Sequence, residues 1–412
     1  MKILALTKYF PPEIGTASHL FFELCETLVQ RGHQVTAITS IPWYNLETVD
    51  PKYNGNLIYR ETMNGIRVLR LANPPLPDGV LKYQLGHVMV PPVFCLGGIL
   101  EDKHDVVINY SPPLLMGLTA YTIAKIWHVP FVFNAQDLYP QCLIDLGQLR
   151  NNALIWLFEK IEAFIYKQST FITVHSEGNR EFLEIKKEVP AAKVQVVSNW
   201  VDTDMIQPEE KDNDFSHRHA LGGKFIVSFA GTMGISQGIV SIVEACAHLQ
   251  DYPDILLLMV GGGVDRDLAA KNAEDLHLKN IKFLPMQPRN IFPQILASSA
   301  ICLVPLKKNI KTPVIPSKIL SIMAAGRPVL ASMPLQGDAP KLINEARCGI
   351  CVEPENPKAL AEAILRLYHD RELGEFYGRN GRKYAVEHFS RQACVAKYEA
   401  LFQEAINQHR TF

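Results

Sequence analysis

Residues 225–238 read FIVSFAGTMGISQG, a short apolar run that ends in a glycine-rich segment. The apolar run predicts a buried strand, and Gly231, Gly234 and Gly238 predict a loop whose backbone can approach a ligand closely. A helix is predicted to begin after the loop, so its free N–H groups and positive dipole end would face an anion such as a phosphate. The glycine spacing is not GxGxxG, which makes a dinucleotide site a weak hypothesis. A tight strand-to-helix turn without any ligand is the alternative.

Short apolar runs alternate with helical patterns on both sides of this segment, which is typical of parallel α/β sheets. The strands predicted in the first half lie at 2–7, 34–39, 66–71, 105–110, 130–134, 170–175 and 194–197. Those predicted in the second half lie at 225–230, 255–260, 281–284, 300–304, 328–332 and 349–352. We therefore predict an α/β fold with two Rossmann-like, doubly wound parallel-sheet domains. Ligands of such sheets bind beyond the carboxyl ends of the strands.

A charged run with a proline, QPEEKDND at 207–214, indicates the change from one domain to the next. We predict an N-terminal domain over 1–205 and a second domain over 206–390. A C-terminal helix over 391–412 is predicted to pack back on the N-terminal domain.

The composition limits the classes of partner and compartment. The 412 residues carry a net charge of −1, which argues against nucleic acid as a partner. The eight scattered cysteines are typical of reduced, buried thiols in a cytoplasmic protein. The apolar stretch at 85–100 is broken by Pro91-Pro92 and is shorter than the roughly 18 residues of a membrane span. A buried helix pair or a segment resting on a membrane surface both fit this stretch.

Two more loops of the second domain fit an anion. Gly261, Gly262 and Gly263 end a predicted strand and permit close backbone approach, although a flexible turn would do as well. At 314–329, proline starts a predicted helix, Ser317 is predicted to cap it, and Lys318 lies in its first turn. A cation is disfavoured there unless an anion also binds. A solvated lysine is the alternative.

Polar residues follow several strands of the first domain. Gly15 and Thr16 join the first strand to a predicted helix and could turn backbone amides towards a sugar or phosphate, although a capping loop is the alternative. Gln136 and Asp137 follow the fifth strand, where Asp137 would orient a sugar hydroxyl, take an acceptor proton or cap a helix. Polar residues also follow the fourth and sixth strands, at Asn109-Tyr110-Ser111 and His175-Ser176-Glu177.

Two patterns do not indicate a metal or redox site. Asp265-Arg266-Asp267 has the D-x-D form, but acidic residues in a first helical turn simply complement the helix dipole. Cys348-Gly349-Ile350-Cys351 runs into a strand and has no second cysteine pair. We predict no metal ligands.

The segments at 2–39, 196–208, 229–238, 258–263 and 316–332 together resemble the retaining family 4 (group 1) glycosyltransferases. The resemblance covers essentially the whole chain and implies the GT-B fold, with the two domains facing a central cleft. More narrowly, NAQDLYP, GTMGISQG and IPSKILSIMAAGRPV are similar to bacterial enzymes of O-antigen, capsule or colanic acid synthesis, some of which transfer fucose or N-acetylfucosamine. The N-terminal domain would then bind the acceptor and the second domain the nucleotide-sugar.

The resemblance implies a hexosyltransferase reaction that retains anomeric configuration without a metal, the β-phosphate of the donor helping to deprotonate the acceptor. The donor would be a UDP-sugar or GDP-sugar, no cofactor would be required, and the acceptor would be a lipid-linked glycan at the inner membrane face. Asp137, Gln136 and Lys318 are the predicted catalytic residues. The predicted donor-binding residues are Gly15, Thr16, Gly231, Thr232, Met233, Gly234, Gln237, Gly261, Gly262, Gly263, Phe283, Leu284, Pro285, Met286, Ser317, Lys318 and Ser321.

The chain departs from the family pattern at several donor contacts. Gln136 stands where a histidine is common, and Thr232 and Gln237 stand where an Arg/Lys pair is usual. Pro313 and Ser321 replace the two glutamates of the E-x7-E signature. Positive charge near the diphosphate would then come from Lys318, helped by Lys307, and from helix dipoles.

Two other functions fit parts of this pattern. A nucleotide-sugar 2-epimerase shares the two-domain architecture, but Asp137, His175 and Glu177 are few cleft groups for that reaction. A non-catalytic partner subunit of a polysaccharide assembly complex would explain the missing donor contacts.

Overall fold

A computed structural model describes residues 1–13, 15–43, 49–73, 80–145, 147–310 and 315–410, with the backbone alone at 80–88. The chain forms two compact units, one of Met1–Asn199 with Arg391–Phe412 and one of Trp200–Ser390. Each unit contains one sheet covered by helices on both faces. The central cleft of the GT-B fold stays a prediction from the sequence.

The first unit holds an eight-stranded sheet in the order β3-β4-β2-β1-β5-β6-β7-β8. Its strands are β1 Lys2–Leu6, β2 Gln34–Ser40, β3 Ile58–Met63, β4 Ile66–Leu71, β5 Val106–Ser111, β6 Phe131–Ala135, β7 Phe171–Val174 and β8 Val194–Val196. Neighbouring strands pair in parallel, except that β3 pairs antiparallel with β4. The strand β3 is not predicted from the sequence, because its residues IYRETM form no apolar run and lie at the sheet edge.

The helices of the first unit cover this sheet. They are α1 Thr16–Gln30, α2 Val80–Ile99, α3 Met116–Trp127, α4 Gln141–Asp145, α5 Asn152–Gln168 and α6 Glu177–Lys186. The predicted helix pair at 85–100 is wrong, because α2 continues through Pro91 and Pro92 as one helix. Packing against β2, β4 and α3 compensates for the two backbone N–H groups that the prolines lack.

The second unit holds a six-stranded, all-parallel sheet in the order β11-β10-β9-β12-β13-β14. Its strands are β9 Phe225–Ala230, β10 Ile255–Val260, β11 Ile281–Leu284, β12 Ile301–Pro305, β13 Val329–Ser332 and β14 Gly349–Val352. Its helices are α7 Asp214–Arg218, α8 Ile239–Ala247, α9 Arg266–Asp275, α10 Phe292–Ser298, α11 Ser317–Ala324, α12 Asp338–Glu345, α13 Pro357–His369 and α14 Arg371–Phe389. The predicted strands of this half coincide with the observed ones to within one residue.

The chain returns to the first unit through its last helix, α15 Arg391–Arg410. Glu399 of α15 pairs with Arg31 at 2.6 Å and with His33 at 2.8 Å, and Arg391 pairs with Glu26 of α1. The Asn134 side-chain amide of β6 donates to the Tyr398 hydroxyl. These contacts attach α15 to the sheet of the first unit.

The first crossing between units lies between Asn199 and Trp200, ahead of the charged run at 207–214 that we used as the boundary. The residues after it already pack on the second unit. Val201 donates its N–H to the Phe389 carbonyl at 2.9 Å, and Arg382 donates to the carbonyls of Thr203 and Ile206 at 3.1 and 2.8 Å.

All eight cysteines are free thiols, as the sequence predicts, and five of them are buried. In the described part of the chain, no helix combines the length and apolar character needed to cross a bilayer.

Candidate functional site

The glycine loops after β9 and β10 form one continuous surface. Gly231 donates its N–H to the Val260 carbonyl at 2.9 Å, and Met233 donates to Gly262 at 2.7 Å. Asp265 in turn donates to the Met233 carbonyl at 3.1 Å. These bonds extend the β9–β10 ladder beyond the strands, so the two loops predicted from separate glycine clusters lie side by side.

Lys318 lies against this surface from the first turn of α11. A Cβ atom built on Gly231 would approach the Lys318 Cε to 2.6 Å, so only glycine leaves room for the lysine at this φ of +137°. The Lys318 ammonium lies 5.2 Å from the centroid of the Phe229 ring. With its amide turned to satisfy its neighbours, Gln237 accepts a hydrogen bond from the Lys318 Nζ at 3.1 Å and donates to the Thr232 carbonyl.

Burial lowers the pKa of Lys318 to about 8. The cause is desolvation, and among the described residues the ammonium contacts the neutral Gln237 amide and no carboxylate. A desolvated cation of this kind gains free energy when an anion approaches it. The Lys318 ammonium is therefore more favourable in this position when a phosphate is bound than when none is.

The helix of Lys318 begins at Ser317, and Pro316 occupies the cap position without any side-chain cap bond. The prediction that Ser317 caps the helix is therefore wrong. Pro316 takes the extended conformation that a cap residue needs, so Ser317 becomes the first helical residue with an exposed side chain. Ser321 lies one turn further along α11 and is half-buried. Pro313 lies outside the described residues.

Two further predicted elements lie beside the glycine surface. The Lys307 N–H donates to the Ser236 carbonyl at 2.8 Å, and its Cγ would lie 3.3 Å from a Cβ on Gly238. On the other side, the Gly261 N–H donates to Leu284 at 3.0 Å. The latter bond brings the segment Phe283–Met286 next to the second glycine loop. The described part of the second unit thus assembles Gly231–Gly238, Gly261–Gly263, Phe283–Met286, Lys307 and Lys318.

In the first unit, Gly15 precedes α1 and Thr16 is its first residue. A Cβ built on Gly15 would meet no heavy atom within 4 Å, so the backbone here borders open space. No side chain of the described residues caps α1, which leaves its first N–H groups to a ligand. This geometry suits the predicted role of Gly15 and Thr16, which stays a prediction.

Gln136 and Asp137 follow β6, where the Gln136 N–H donates to the Ser111 carbonyl at 3.1 Å. Asp137 does not cap a helix, because α4 begins only at Gln141. Its exposed carboxylate makes no hydrogen bond or ion pair with the described residues. Desolvation nevertheless raises the pKa of Asp137. Water reaches this carboxylate, but the surrounding protein limits its solvation, which favours interaction with a hydroxyl proton.

The residues after β7 have structural roles. Ser176 caps α6 by accepting the Asn179 N–H at 3.2 Å, and Glu177 pairs with Arg180 at 2.7 Å on the surface. Buried His175 precedes the cap. Because Glu177 is paired on the surface, the epimerase hypothesis keeps fewer available carboxylates than the sequence offered.

Three buried polar residues at the carboxyl edge of the first sheet were not predicted from the sequence, namely Lys8, Glu13 and Ser40. Glu13 accepts the N–H groups of Phe10 at 3.3 Å and Trp43 at 3.1 Å, which fixes the loop after β1. Lys8 could have been predicted as a functional residue, because it directly follows a buried strand and a lysine is seldom buried unless it is paired.

Among the described residues, no three His, Cys, Asp or Glu side chains gather as a metal site would require. Asp265 and Asp267 do not chelate together, since Asp267 is turned to Arg266 at 3.5 Å. The predicted absence of metal ligands stays a prediction.

Two family descriptions match the chain, "Glycosyl transferase 4-like domain" at residues 15–200 and "Glycosyl transferases group 1" at residues 210–384. Both halves of the chain are therefore glycosyltransferase domains. This glycosyltransferase is 26% identical over 373 residues to the putative colanic acid biosynthesis glycosyl transferase WcaI of Escherichia coli (strain K12), a match over 88% of this chain and 91% of the relative.

Solved structures share the fold of this glycosyltransferase. Sucrose-phosphate synthase from Thermosynechococcus elongatus superposes with a TM-score of 0.76 at 18% identity, over 99% of this chain and 100% of that one. Anabaena HepE in complex with UDP-glucose gives a TM-score of 0.73 at 15% identity, over 98% and 100% of the two chains. The predicted GT-B class of two parallel-sheet α/β domains is confirmed.

Proposed function

We propose that this glycosyltransferase moves a sugar from a UDP-sugar or GDP-sugar to a glycan acceptor in surface polysaccharide synthesis, with retention of anomeric configuration and without a metal or other cofactor. The second unit binds the donor and the first unit binds the acceptor. A fucose-type sugar remains the narrower hypothesis for the donor, on the motif resemblance alone.

The observation that carries the proposal is the Lys318 ammonium, desolvated beneath Gly231 at the joined glycine loops. A diphosphate there would accept hydrogen bonds from Lys318 and from backbone N–H groups at the start of α8 and α11. Charge on the leaving phosphate increases as the glycosidic bond breaks, so the same groups stabilise the transition state. The segment Phe283–Met286 then lies where a base could contact its backbone.

The relatives support the substrate classes. HepE binds UDP-glucose in its solved structure, and the name of WcaI assigns it to colanic acid biosynthesis. For the acceptor, Asp137 offers an accessible carboxylate with a raised pKa at the end of β6. We propose that Asp137 and Gln136 orient the reacting sugars while the donor β-phosphate takes the acceptor proton.

Thermal unfolding with a panel of UDP-sugars and GDP-sugars tests donor binding, because a ligand of the folded state raises the melting temperature. Stabilisation by at least one nucleotide-sugar is expected, and Lys318→Ala should reduce it at the same donor concentration. No stabilisation by any donor would instead favour the non-catalytic partner subunit. Interconversion of the donor without acceptor would favour the 2-epimerase.

The stereochemistry and metal dependence need separate measurements. NMR of the fresh product should show the anomeric configuration of the donor, and activity should survive EDTA. An inverted product or complete loss of activity in EDTA, with recovery on adding a divalent cation, would contradict these parts of the proposal.

We also propose that the first unit rests on the cytoplasmic membrane face, where a lipid-linked acceptor would be found. On α5, Trp156 is 61% exposed and Leu154 and Leu157 are each 45% exposed, between the exposed cations Arg150 and Lys160. Exposed apolar side chains flanked by cations are typical of interfacial helices. In the stretch at 85–100, Leu96 of α2 and Leu100 directly after it are 67% and 76% exposed and would add to this surface.

Sedimentation with phosphatidylglycerol-containing vesicles tests the membrane contact. The wild-type protein should co-sediment, and Trp156→Ser with Leu157→Ser should release it. The matched variant Ile185→Ser removes a residue that is 71% exposed on α6 and should leave binding unchanged. Equal binding by all three proteins would contradict a contact through α5.

A further inference from the structure

The order of strands in the first sheet marks one position as a ligand site. The chain builds β2 and β4 on one side of β1, and β5, β6, β7 and β8 on the other. In open α/β sheets, ligands bind in the crevice where the strand order reverses, beyond the carboxyl ends of the strands. In this sheet the crevice lies between the ends of β1 and β5.

Three buried polar side chains at this crevice have no hydrogen-bond partner among the residues that the structure describes. Within the described part of the chain, neither amide atom of Asn109 has a partner, nor does the hydroxyl of Ser40 or of Ser111. Asn109 and Ser40 are 0% exposed, and Ser111 is 1% exposed. Native proteins rarely leave such atoms unpaired, because a buried polar group without a partner is destabilising.

The pairing of the strands places these groups on one face. Leu6 pairs with Ile38 on one side and with Asn109 on the other. Because side chains alternate along a strand, Ser40 shares the face of Ile38, and Ser111 shares the face of Asn109. Ile38 and Val107 of the same two strands belong to the apolar core on that face.

The dimensions of the group suit a single sugar residue. The strands β2, β1 and β5 are neighbours, so Ser40 and Ser111 stand about 10 Å apart across the sheet. Lys8 follows β1 between them, and its carbonyl accepts the Thr39 hydroxyl at 3.4 Å.

The charges around the crevice compensate each other. Lys8 interacts electrostatically with Glu13, which opposes the desolvation that lowers the pKa of the lysine to about 8. With Lys8 as its cation and Glu13 as its carboxylate, the crevice offers donors and acceptors without a net charge. A phosphate would find no surplus cation here, whereas sugar hydroxyls both donate and accept.

We propose that Lys8, Ser40, Asn109 and Ser111 bind the hydroxyl groups of a neutral saccharide residue. The proposal rests on the proposed glycosyl transfer, and it makes this residue the part of the acceptor that the first unit recognises. The Asn109 amide pairs with two neighbouring hydroxyls of the ring, donating to one and accepting from the other. The serine hydroxyls complete the contacts at the two sides.

Binding of free methyl glycosides to the full chain tests the pocket, with no need for the natural acceptor. Saturation-transfer NMR with a panel of methyl hexosides and methyl N-acetylhexosaminides should detect millimolar binding to the wild-type protein. Asn109→Leu should weaken that binding about tenfold or more, because it removes two hydrogen bonds. The control Ser169→Ala removes a buried serine of the same unit whose hydroxyl already donates to Ile165 at 2.7 Å, and it should leave glycoside binding unchanged.

Three outcomes would overturn the proposal. Binding of no glycoside would mean that buried water satisfies the polar atoms. Equal binding by wild type and Asn109→Leu would place the sugar elsewhere. Binding of inorganic phosphate, without binding of any glycoside, would show that the crevice is an anion site. UDP-glucose titrated into the same samples reports separately on donor binding, so failure of the pocket and failure of the proposed function are distinguishable.

Stability provides a second measurement that does not depend on finding the right sugar. Ser111→Ala removes a hydroxyl without a partner and should raise the melting temperature, whereas Ser169→Ala breaks a hydrogen bond and should lower it. If Ser111→Ala lowers the melting temperature as much as Ser169→Ala does, the Ser111 hydroxyl is satisfied in the folded protein and the pocket is refuted.

Discussion

The carboxyl edges of the two sheets are lined by different chemical groups. In the second unit, the edge consists of glycine backbone around one desolvated lysine, with Gly231 shaped to leave room for Lys318. In the first unit, the same edge consists of buried polar side chains, with Asn109 and Ser111 unpartnered among the described residues. Both edges lie where each sheet reverses its strand order.

The difference reflects what each kind of ligand demands. A diphosphate only accepts hydrogen bonds, and backbone N–H groups with one cation supply enough donors. A sugar presents hydroxyls that donate and accept, so it needs amides, hydroxyls and balanced charges, which side chains provide. One edge is therefore suited to a phosphate and the other to a neutral carbohydrate.

The substitution with the largest expected effect tests whether the carboxyl edge of the first sheet takes part in turnover. Asp137→Asn should lower kcat about 100-fold while leaving the Kd for the donor unchanged, since in the proposed reaction the carboxylate orients the reacting sugar hydroxyl. Steady-state kinetics and calorimetry separate the two quantities. The control Glu177→Gln alters a carboxylate already paired with Arg180 and should retain wild-type kcat. A wild-type kcat in Asp137→Asn would remove Asp137 from the reaction.

Lys318→Ala should weaken binding of UDP-glucose by about 10- to 100-fold, because a charge-assisted hydrogen bond to phosphate is lost. Calorimetry measures the change. Lys224→Ala alters a lysine at the opposite end of β9, bonded to the Pro253 carbonyl at 2.9 Å, and should bind normally. Lys8→Met should also bind the donor normally. An equal loss of affinity for UDP-glucose in Lys318→Ala and Lys8→Met would contradict the proposed difference in ligand between the two sheet edges.

The pH dependence of donor binding should follow Lys318. Its pKa of about 8 in the free protein means that the ammonium is present below that pH and is lost above it. Affinity for UDP-glucose should therefore be constant below about pH 7 and fall by up to tenfold per unit above pH 8. Lys318→Arg keeps its charge at every pH tested and should flatten the profile. A flat profile in the wild-type protein would contradict a role for the Lys318 charge.

Stability should change in opposite directions at the two edges. Gly231→Ala places a Cβ at 2.6 Å from Lys318 and at a positive φ, so it should lower the free energy of unfolding by about 1–2 kcal/mol. Asn109→Leu removes unpartnered buried polar atoms and should raise it by a smaller amount. Urea unfolding measures both. Destabilisation of similar size at the two edges would mean that the first edge is an ordinary polar core.

The sequence predicted most of the fold because buried parallel strands are short apolar runs that helical patterns separate. It failed at β3, an edge strand with polar residues at alternate positions, and at α2, where two prolines suggested a break. Glycine clusters indicated the carboxyl edge of the second sheet, since three successive loops there combine glycine or a helix start with room for an anion. The contact between Gly231 and Lys318 required the register of β9 and β10 and the start of α11, which no local pattern encodes.

The carboxyl edge of the first sheet was only partly predictable, because its contacts also depend on residues that no local sequence pattern connects. Asn109, Ser111 and Asp137 were found because they end strands, but their burial and lack of partners follow from packing. Lys8 and Ser40 come from strands that the sequence separates by a long helix, and only the sheet order brings them to one crevice. The role of Asp137 as a cap or a free carboxylate depended on where α4 begins.

The position of α15 determines the order in which the chain can fold during synthesis. The second unit is one continuous segment and can complete its core as soon as residue 390 has left the ribosome. The first unit starts earlier but needs Tyr398 for Asn134 and Glu399 for Arg31, so it finishes last. Translation that stops before α15 would leave a completed second unit joined to an unfinished first one, with the inner faces of α1 and the first sheet exposed to aggregation.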